Sequence, residues 1–477
     1  MKLFYQDYFM SHLFSNSFNA LSHLSLASVL TLMLSGSQVH GQQHWWQWRG
    51  PQANGVASAG NPPISWSEQE NVRWKVAIPG KGHASPVIWG DRLFLLTAVA
   101  ESAPQVDGLR ETTPPAPQAE GRDRQRGSRR GGGGGRGGFG GSQPEAVKHS
   151  FQTICLDKNT GEQIWSREGM AVIPHEGHHP TNSYSSGSAI TDGKHVISYF
   201  GSRGLFVYDM MGNLVWQKDL GDMPTRNGFG EGASPALADD ILVVLWDTES
   251  DSYIVAYDKL TGEERWRQIR DERTGWTTPV ILDHQGRRQV VVNATNKVRS
   301  YDLETGELLW ECGGQTANAI PTVVADEQHV YALSGYRGST AMAIRLGQRG
   351  DLTDSDAIAW SLNRGTPYVP SPLLMSGRLW FTQGNDAVLS CVEASTGKVH
   401  YSQERLEGPS GFYASPVGVA GRVYLTGRDG TTVVIEDSES LKVLATNKLD
   451  DPMDASPALS GDAIYLRGHQ YLYCIGK

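Results

Sequence analysis

The chain has 477 residues, of which 39% are hydrophobic and 19% charged, enough for one large core or several domains. A formal net charge of -9 argues against a folded body that binds polyanions, and so against a nucleic-acid partner. Past the N-terminal segment, no apolar run is long enough to cross a membrane as a helix.

Residues 1–41 read as an export signal. Lys2 supplies a positive end, "LSLASVLTLML" an apolar stretch, and Val39 and Gly41 the small residues near a cleavage point. No cysteine stands there to carry a lipid anchor. Residues 42–70, opening "QQHWWQWRGPQANGVAS", form a lead-in. The body is then expected over residues 71–477, as a monomer in the periplasm or outside the cell. Residues 100–148 interrupt it with a segment rich in Pro and Gln that then reads "GRDRQRGSRRGGGGGRGGFGG" over 121–141. Such a composition cannot bury enough apolar area to fold, so a disordered tether is expected.

The rest of the chain repeats itself. "LDKNTGEQIW" at 156–165 returns as "YDKLTGEERW" at 257–266 and "YDLETGELLW" at 301–310. A Ser-Pro pair or its variant recurs eight times, at Ser85, Ser188, Ser234, Thr278, Ile320, Ser371, Ser415 and Ser456. After the first gap the spacing is about 41 to 51 residues, the length of a four-stranded blade. The last copy lacks a closing strand, and a spare one, "NVRWKVAIP", stands at residues 71–79. The expected fold is all-β: an eight-bladed β-propeller of four-stranded antiparallel blades, closed by the N-terminal strand joining the C-terminal blade. The Thr-Gly turns and the Trp that follows them are needed for folding whatever the task. Cys155, Cys391 and Cys474 occupy one place in the repeat, and with Cys312 are expected to be buried strand residues rather than disulfides or metal ligands.

The "D-x-x-T-G-x-x-x-W" unit resembles the repeat of the pyrroloquinoline-quinone-like (PQQ-like) propellers. That superfamily includes quinoprotein dehydrogenases and the outer-membrane assembly lipoprotein BamB. The phrases "TRNGFGEGASP", "SGYRG", "RGTPYVPSP" and "NKLDDPMDASP" resemble an exported, planctomycete-type subgroup.

In such a ring the loops between blades share one face, here the top, with the turns joining second and third strands. The opposite turns ("WGD", "TDGK", "ADD") are generic. The top loops instead carry His83, Asn182, Tyr184, Arg226, Asn227, Glu231, Trp276, Asn318, Tyr368, Tyr413 and Asp454. The turns add Arg203, Asn296, Arg337, Asn385, Arg428 and Arg467, with His469 beside the last. Turns need none of these side chains, so the top face is the candidate site for a small anionic ligand or an envelope protein.

No catalytic constellation is legible, and "HEGHH" at 175–179 lacks the spacing of a zinc helix. The expected role is a non-catalytic binding or scaffolding module. The resemblance implies an alternative: a dehydrogenase holding pyrroloquinoline quinone and calcium among residues such as Arg226, Arg337, Glu231, Asn182 and Asp454. The adjacent cysteine pair common in those enzymes is absent.

Overall fold

A computed structural model describes residues 44–101 and 147–477. The expected export signal and most of the expected tether lie outside these residues. Among the described residues no helix is long and apolar enough to cross a membrane.

Eight antiparallel sheets follow one another in chain order. Blade 1 is Val87–Trp89, Arg92–Ala100, His149–Asp157 and Gln163–Val172, counted from the channel outward. Residues 102–146 thus fall between its second and third strands, whose ends are held by the Glu101 N–H to Lys148 carbonyl bond. Blade 8 is Ala458–Ser460, Ala463–Arg467 and Tyr471–Ile475, completed by Val72–Ala77. The expected closure is therefore present, with Trp74 opposite Cys474 and Ala77 opposite Tyr471. Blade 4 gains a fifth strand, Gly350–Asp351, which runs parallel to Leu308–Cys312.

Two repeated contacts join neighbouring blades. The first is a belt around the channel. The backbone N–H at seven of the Ser-Pro positions donates to the hydroxyl of its counterpart one blade on: Ser85 to Ser188, Ser188 to Ser234, Ser234 to Thr278, Thr278 to Thr322, Thr322 to Ser371, Ser371 to Ser415 and Ser415 to Ser456, all at 2.9–3.1 Å. The belt corrects the expected landmark of blade 5. Thr322 holds the place, not Ile320, because a hydroxyl is what the contact requires.

The second contact joins the outer strands. The indole N–H of Trp74, Trp165, Trp216, Trp266 and Trp360 donates to a carbonyl in the next blade's turn: Lys158, Met210, Lys259, Leu303 and Ala394 respectively. In the same turns, a Cβ on Gly161, Gly212, Gly262, Gly306 or Gly397 would stand within 3.0 Å of that Trp ring. Glycine is thus required by close approach as well as by the turn. Trp310 departs from the pattern and donates to Gln289 within its own blade. The next blade's corresponding turn is lengthened there by the Gly350–Asp351 strand.

The lead-in runs across the inner edge of the ring. Trp45 pairs with Ile88 of blade 1, the Trp46 carbonyl accepts from Thr191 of blade 2, and Ala57 bonds Gly418 of blade 7. Trp66 lies on Tyr424, beside the blade whose outer strand carries Ala445 in place of Trp. All four cysteines are buried and free, and burial pushes their thiols up.

Candidate functional site

The belt serines begin the inner strands, so the loops before them converge on the channel mouth. There they enclose a cavity of about 590 Å³. Its wall takes His83, Asn182, Arg226, Asn227, Trp276, Asn318, Arg337, Tyr368, Tyr413 and Asp454 from the expected residues. Trp48 of the lead-in lines it as well, along with belt hydroxyls such as Ser234 and Ser415.

Local structure fixes the polar groups. Arg226 opens a short 3-10 turn, Arg226–Gly228, and its guanidinium donates to Asn318 Oδ1 at 2.7 Å. The Trp276 indole N–H donates to the Gly230 carbonyl at 2.7 Å. Tyr336 and Tyr368 stack at 4.8 Å, and the Arg337 guanidinium lies 5.3 Å from the Tyr336 ring. Asn227, Asn318 and Arg337 all have left-handed backbones, with φ of 54°, 53° and 52°. Arginine seldom takes that conformation, and such strain gathers at binding sites.

The remaining expected residues do not line the cavity. Arg203 and Glu231 form a buried ion pair, with Ser202 donating twice to the same carboxylate. Tyr184 lies 5.6 Å from the Arg203 guanidinium, behind the wall. Arg467 is buried and donates to the Ala84 and Leu96 carbonyls, so it ties blade 8 to blade 1. Asn296 is held by Glu272 and the Asp271 carbonyl, and Asn385 braces Val369 and Phe412. Arg428 stands at the margin, 3.9 Å over the Tyr413 ring, and its Nε donates to Asp454 Oδ1 at 2.7 Å. The "HEGHH" side chains are separately engaged: His175 with the Met223 carbonyl, Glu176 with Thr225 and His179 with Thr181.

Calcium together with pyrroloquinoline quinone does not fit this cavity. Calcium takes about 6–8 oxygen ligands. Asp454 is the only carboxylate on the wall among the described residues, and Arg428 already holds one of its oxygens. Glu231 faces Ser202 and Arg203 instead, while Asn182 Oδ1, the atom calcium would need, accepts from the Ser186 hydroxyl at 2.7 Å.

Burial pulls the His83 imidazole down to about 4, against the opposing charge of Asp454 and with help from His469, Arg467 and His178. His83 is therefore neutral at pH 7. Between pH 6.5 and 4 the unfolded chain binds the proton first, so stability contributed by neutral His83 is lost as pH falls through that window. A His83→Gln variant is expected to show a shallower loss of melting temperature between pH 7 and 5 than the parent. Parallel curves would mean that His83 titrates normally.

Residues 150–357 match a family model described as outer membrane protein assembly factor BamB. No curated protein sequence matches the chain. Among solved structures, the quinohemoprotein alcohol dehydrogenase from Comamonas testosteroni aligns with a TM-score of 0.58 at 10% identity, over 91% of this chain and 81% of that one. A europium-containing methanol dehydrogenase aligns at 0.55 and 10% identity, over 89% of each. BamB from Moraxella catarrhalis aligns at 0.38 and 14% identity, over 60% of this chain and 95% of that one. Identities this low speak for the fold and not for a shared activity. The chain is an eight-bladed β-propeller, and its residues 150–357 are similar to the BamB family model.

Proposed function

We propose that the chain is a monomeric binding module of the cell envelope that holds a small anionic ligand in the top-face cavity. The cavity itself carries this reading: about 590 Å³, with Arg226 and Arg337 on a wall that also presents Trp48, Trp276 and the Tyr336–Tyr368 stack. Small-molecule sites commonly span about 300–1,000 Å³. Guanidinium groups suit carboxylate or phosphate, and the aromatic faces suit a flat ring or a sugar. Arg49 stands behind Trp48, its guanidinium 5.8 Å from that ring. It is buried, and its Nε and Nη1 find no partner among the described residues.

The envelope location rests on the export signal expected at residues 1–41, on the likeness to an exported subgroup, and on the description of the matched repeats. That description also favours a second reading, in which the same rim docks an envelope protein.

The test is thermal melting with a panel of aromatic carboxylates, sugar acids and phosphate esters. A ligand at 100 times its dissociation constant adds about 2.7 kcal/mol, or roughly 3 °C for a fold of this size. At least one anion class is expected to reach that shift. Pyrroloquinoline quinone with calcium is expected to give no shift that needs both. If no small anion moves the transition, the ligand reading fails and the protein-docking reading takes its place.

A further inference from the structure

One corner of the cavity, where blades 7, 8 and 1 meet, carries chemistry that anion binding does not use. His83, on the loop entering blade 1, and Asp454, on the loop entering blade 8, line the cavity, and His469, from the turn between Ala463–Arg467 and Tyr471–Ile475, adjoins them just outside its wall. Asp454 Oδ2 lies 3.1 Å from His469 Nε2 and 3.8 Å from His83 Nε2. The three ligand atoms all fall within 4.8 Å of one another, the one such His/Cys/Asp/Glu group among the described residues. We propose that His83, His469 and Asp454 bind one divalent first-row transition cation, of the zinc or ferrous type.

The donor set selects that class. Two imidazoles and one carboxylate suit zinc and iron, whereas calcium and magnesium prefer oxygen alone. Metal–nitrogen bonds of about 2.0–2.1 Å put neighbouring donors roughly 3 Å apart. The Asp454–His469 edge already has that length, and the His469 side chain, 44% exposed, has room to turn toward His83, while the 3.8 Å His83–Asp454 edge must close by somewhat under 1 Å.

The carboxylate is braced by a hydrogen bond from the Arg428 guanidinium. Arg428 on Oδ1 also orients the carboxylate so that Oδ2 faces the histidines, the outer-shell arrangement common to metal sites. Arg428 Nη2 stands 3.5 Å from Oδ2, and its guanidinium is also held over the Tyr413 ring.

The backbones are pinned before any metal arrives. Asp451 Oδ1 accepts from the His469 and Gln470 N–H groups, and the His83 N–H donates to the Ser185 carbonyl. Three protein ligands leave at least one coordination position for water or an anion.

The site does not depend on the anionic-ligand reading, because its test uses the metal alone. The purified full chain, freed of metal with a chelator, is titrated with cobalt(II) and followed by its visible d–d bands, with zinc as competitor. One equivalent is expected to bind and zinc to displace it, while excess calcium does not. His469→Ala, which removes a half-exposed ring, is expected to weaken binding at least tenfold and abolish the zinc-induced rise in melting temperature. Asp454→Asn is expected to do the same, and His175→Ala to leave both unchanged. An affinity that His469→Ala leaves unaltered, or no saturable binding, would show that the trio is only a hydrogen-bonded network.

Discussion

Replacing Trp266 with Ala is expected to lower stability by roughly 3–5 kcal/mol, the range for removing a buried Trp. The ring is 8% exposed and sits in the apolar cluster shared by blades 3 and 4, and its indole N–H donates to Leu303 of blade 4 at 2.9 Å. The change therefore removes both buried area and an inter-blade hydrogen bond. The reciprocal variant is Gly306→Ala. Gly306 has φ +74°, and an added Cβ would lie 2.6 Å from the Trp266 ring. The left-handed backbone costs alanine about 1–2 kcal/mol, and overpacking against the ring adds about 1–3. Because both changes strike one contact, the double variant should lose less than the sum of the singles. Denaturant midpoints measure all three. A Trp266→Ala cost below about 1 kcal/mol would mean that the indole does not join the blades.

Removal of the strand Val72–Ala77 has the larger effect, because it opens the ring. Two truncations isolate it, one beginning at Asn71 and one at Gly80, both without the lead-in. The longer chain keeps the pairing with Tyr471–Ile475 and the Trp74 bond to the Lys158 carbonyl, so it closes blade 8 onto blade 1. The shorter chain leaves Tyr471–Ile475 as an unpaired edge and uncovers Tyr465 and Cys474. It is expected to lose its cooperative melting transition and to elute as aggregate, since a long exposed edge templates further pairing. A monomer with the midpoint of the longer chain would contradict closure by this strand.

Much of this architecture was legible because it repeats. Ser-Pro, Thr-Gly and Trp recur at blade spacing, and each marks a contact that most of the blades repeat. The landmark of blade 5 was misread because Pro321 imitates the motif, while the working residue, Thr322, is followed by Val323 rather than Pro. The glycine beneath each Trp was read as a turn residue alone, since sequence spacing does not show which blade a ring leans on.

The site was legible as a face and less so as a list. Arg226, Arg337, Trp276 and Tyr368 reach the cavity because their loops end at its rim. Arg203, Glu231 and Arg467 have the same residue types in equivalent loops, yet each is spent on a buried partner. Only inward or outward orientation separates the two groups, and loop sequences carry no periodicity that reports it. Trp48 was missed for another reason. It belongs to the lead-in, outside the repeat, and reaches the cavity because that segment crosses the inner edge of the ring.

The most direct test of the binding claim is calorimetric titration of the anion that most stabilises the chain. The parent is compared with the double variant Arg226→Ala/Arg337→Ala and with a control, Arg265→Ala, whose partner Asp258 lies on an outer turn away from the cavity. Charge-assisted hydrogen bonds contribute about 1.5–3 kcal/mol each, so the double variant should bind at least tenfold more weakly while the control matches the parent. Equal affinity in the parent and the double variant would place the ligand elsewhere on the propeller and contradict the assignment of the top-face cavity.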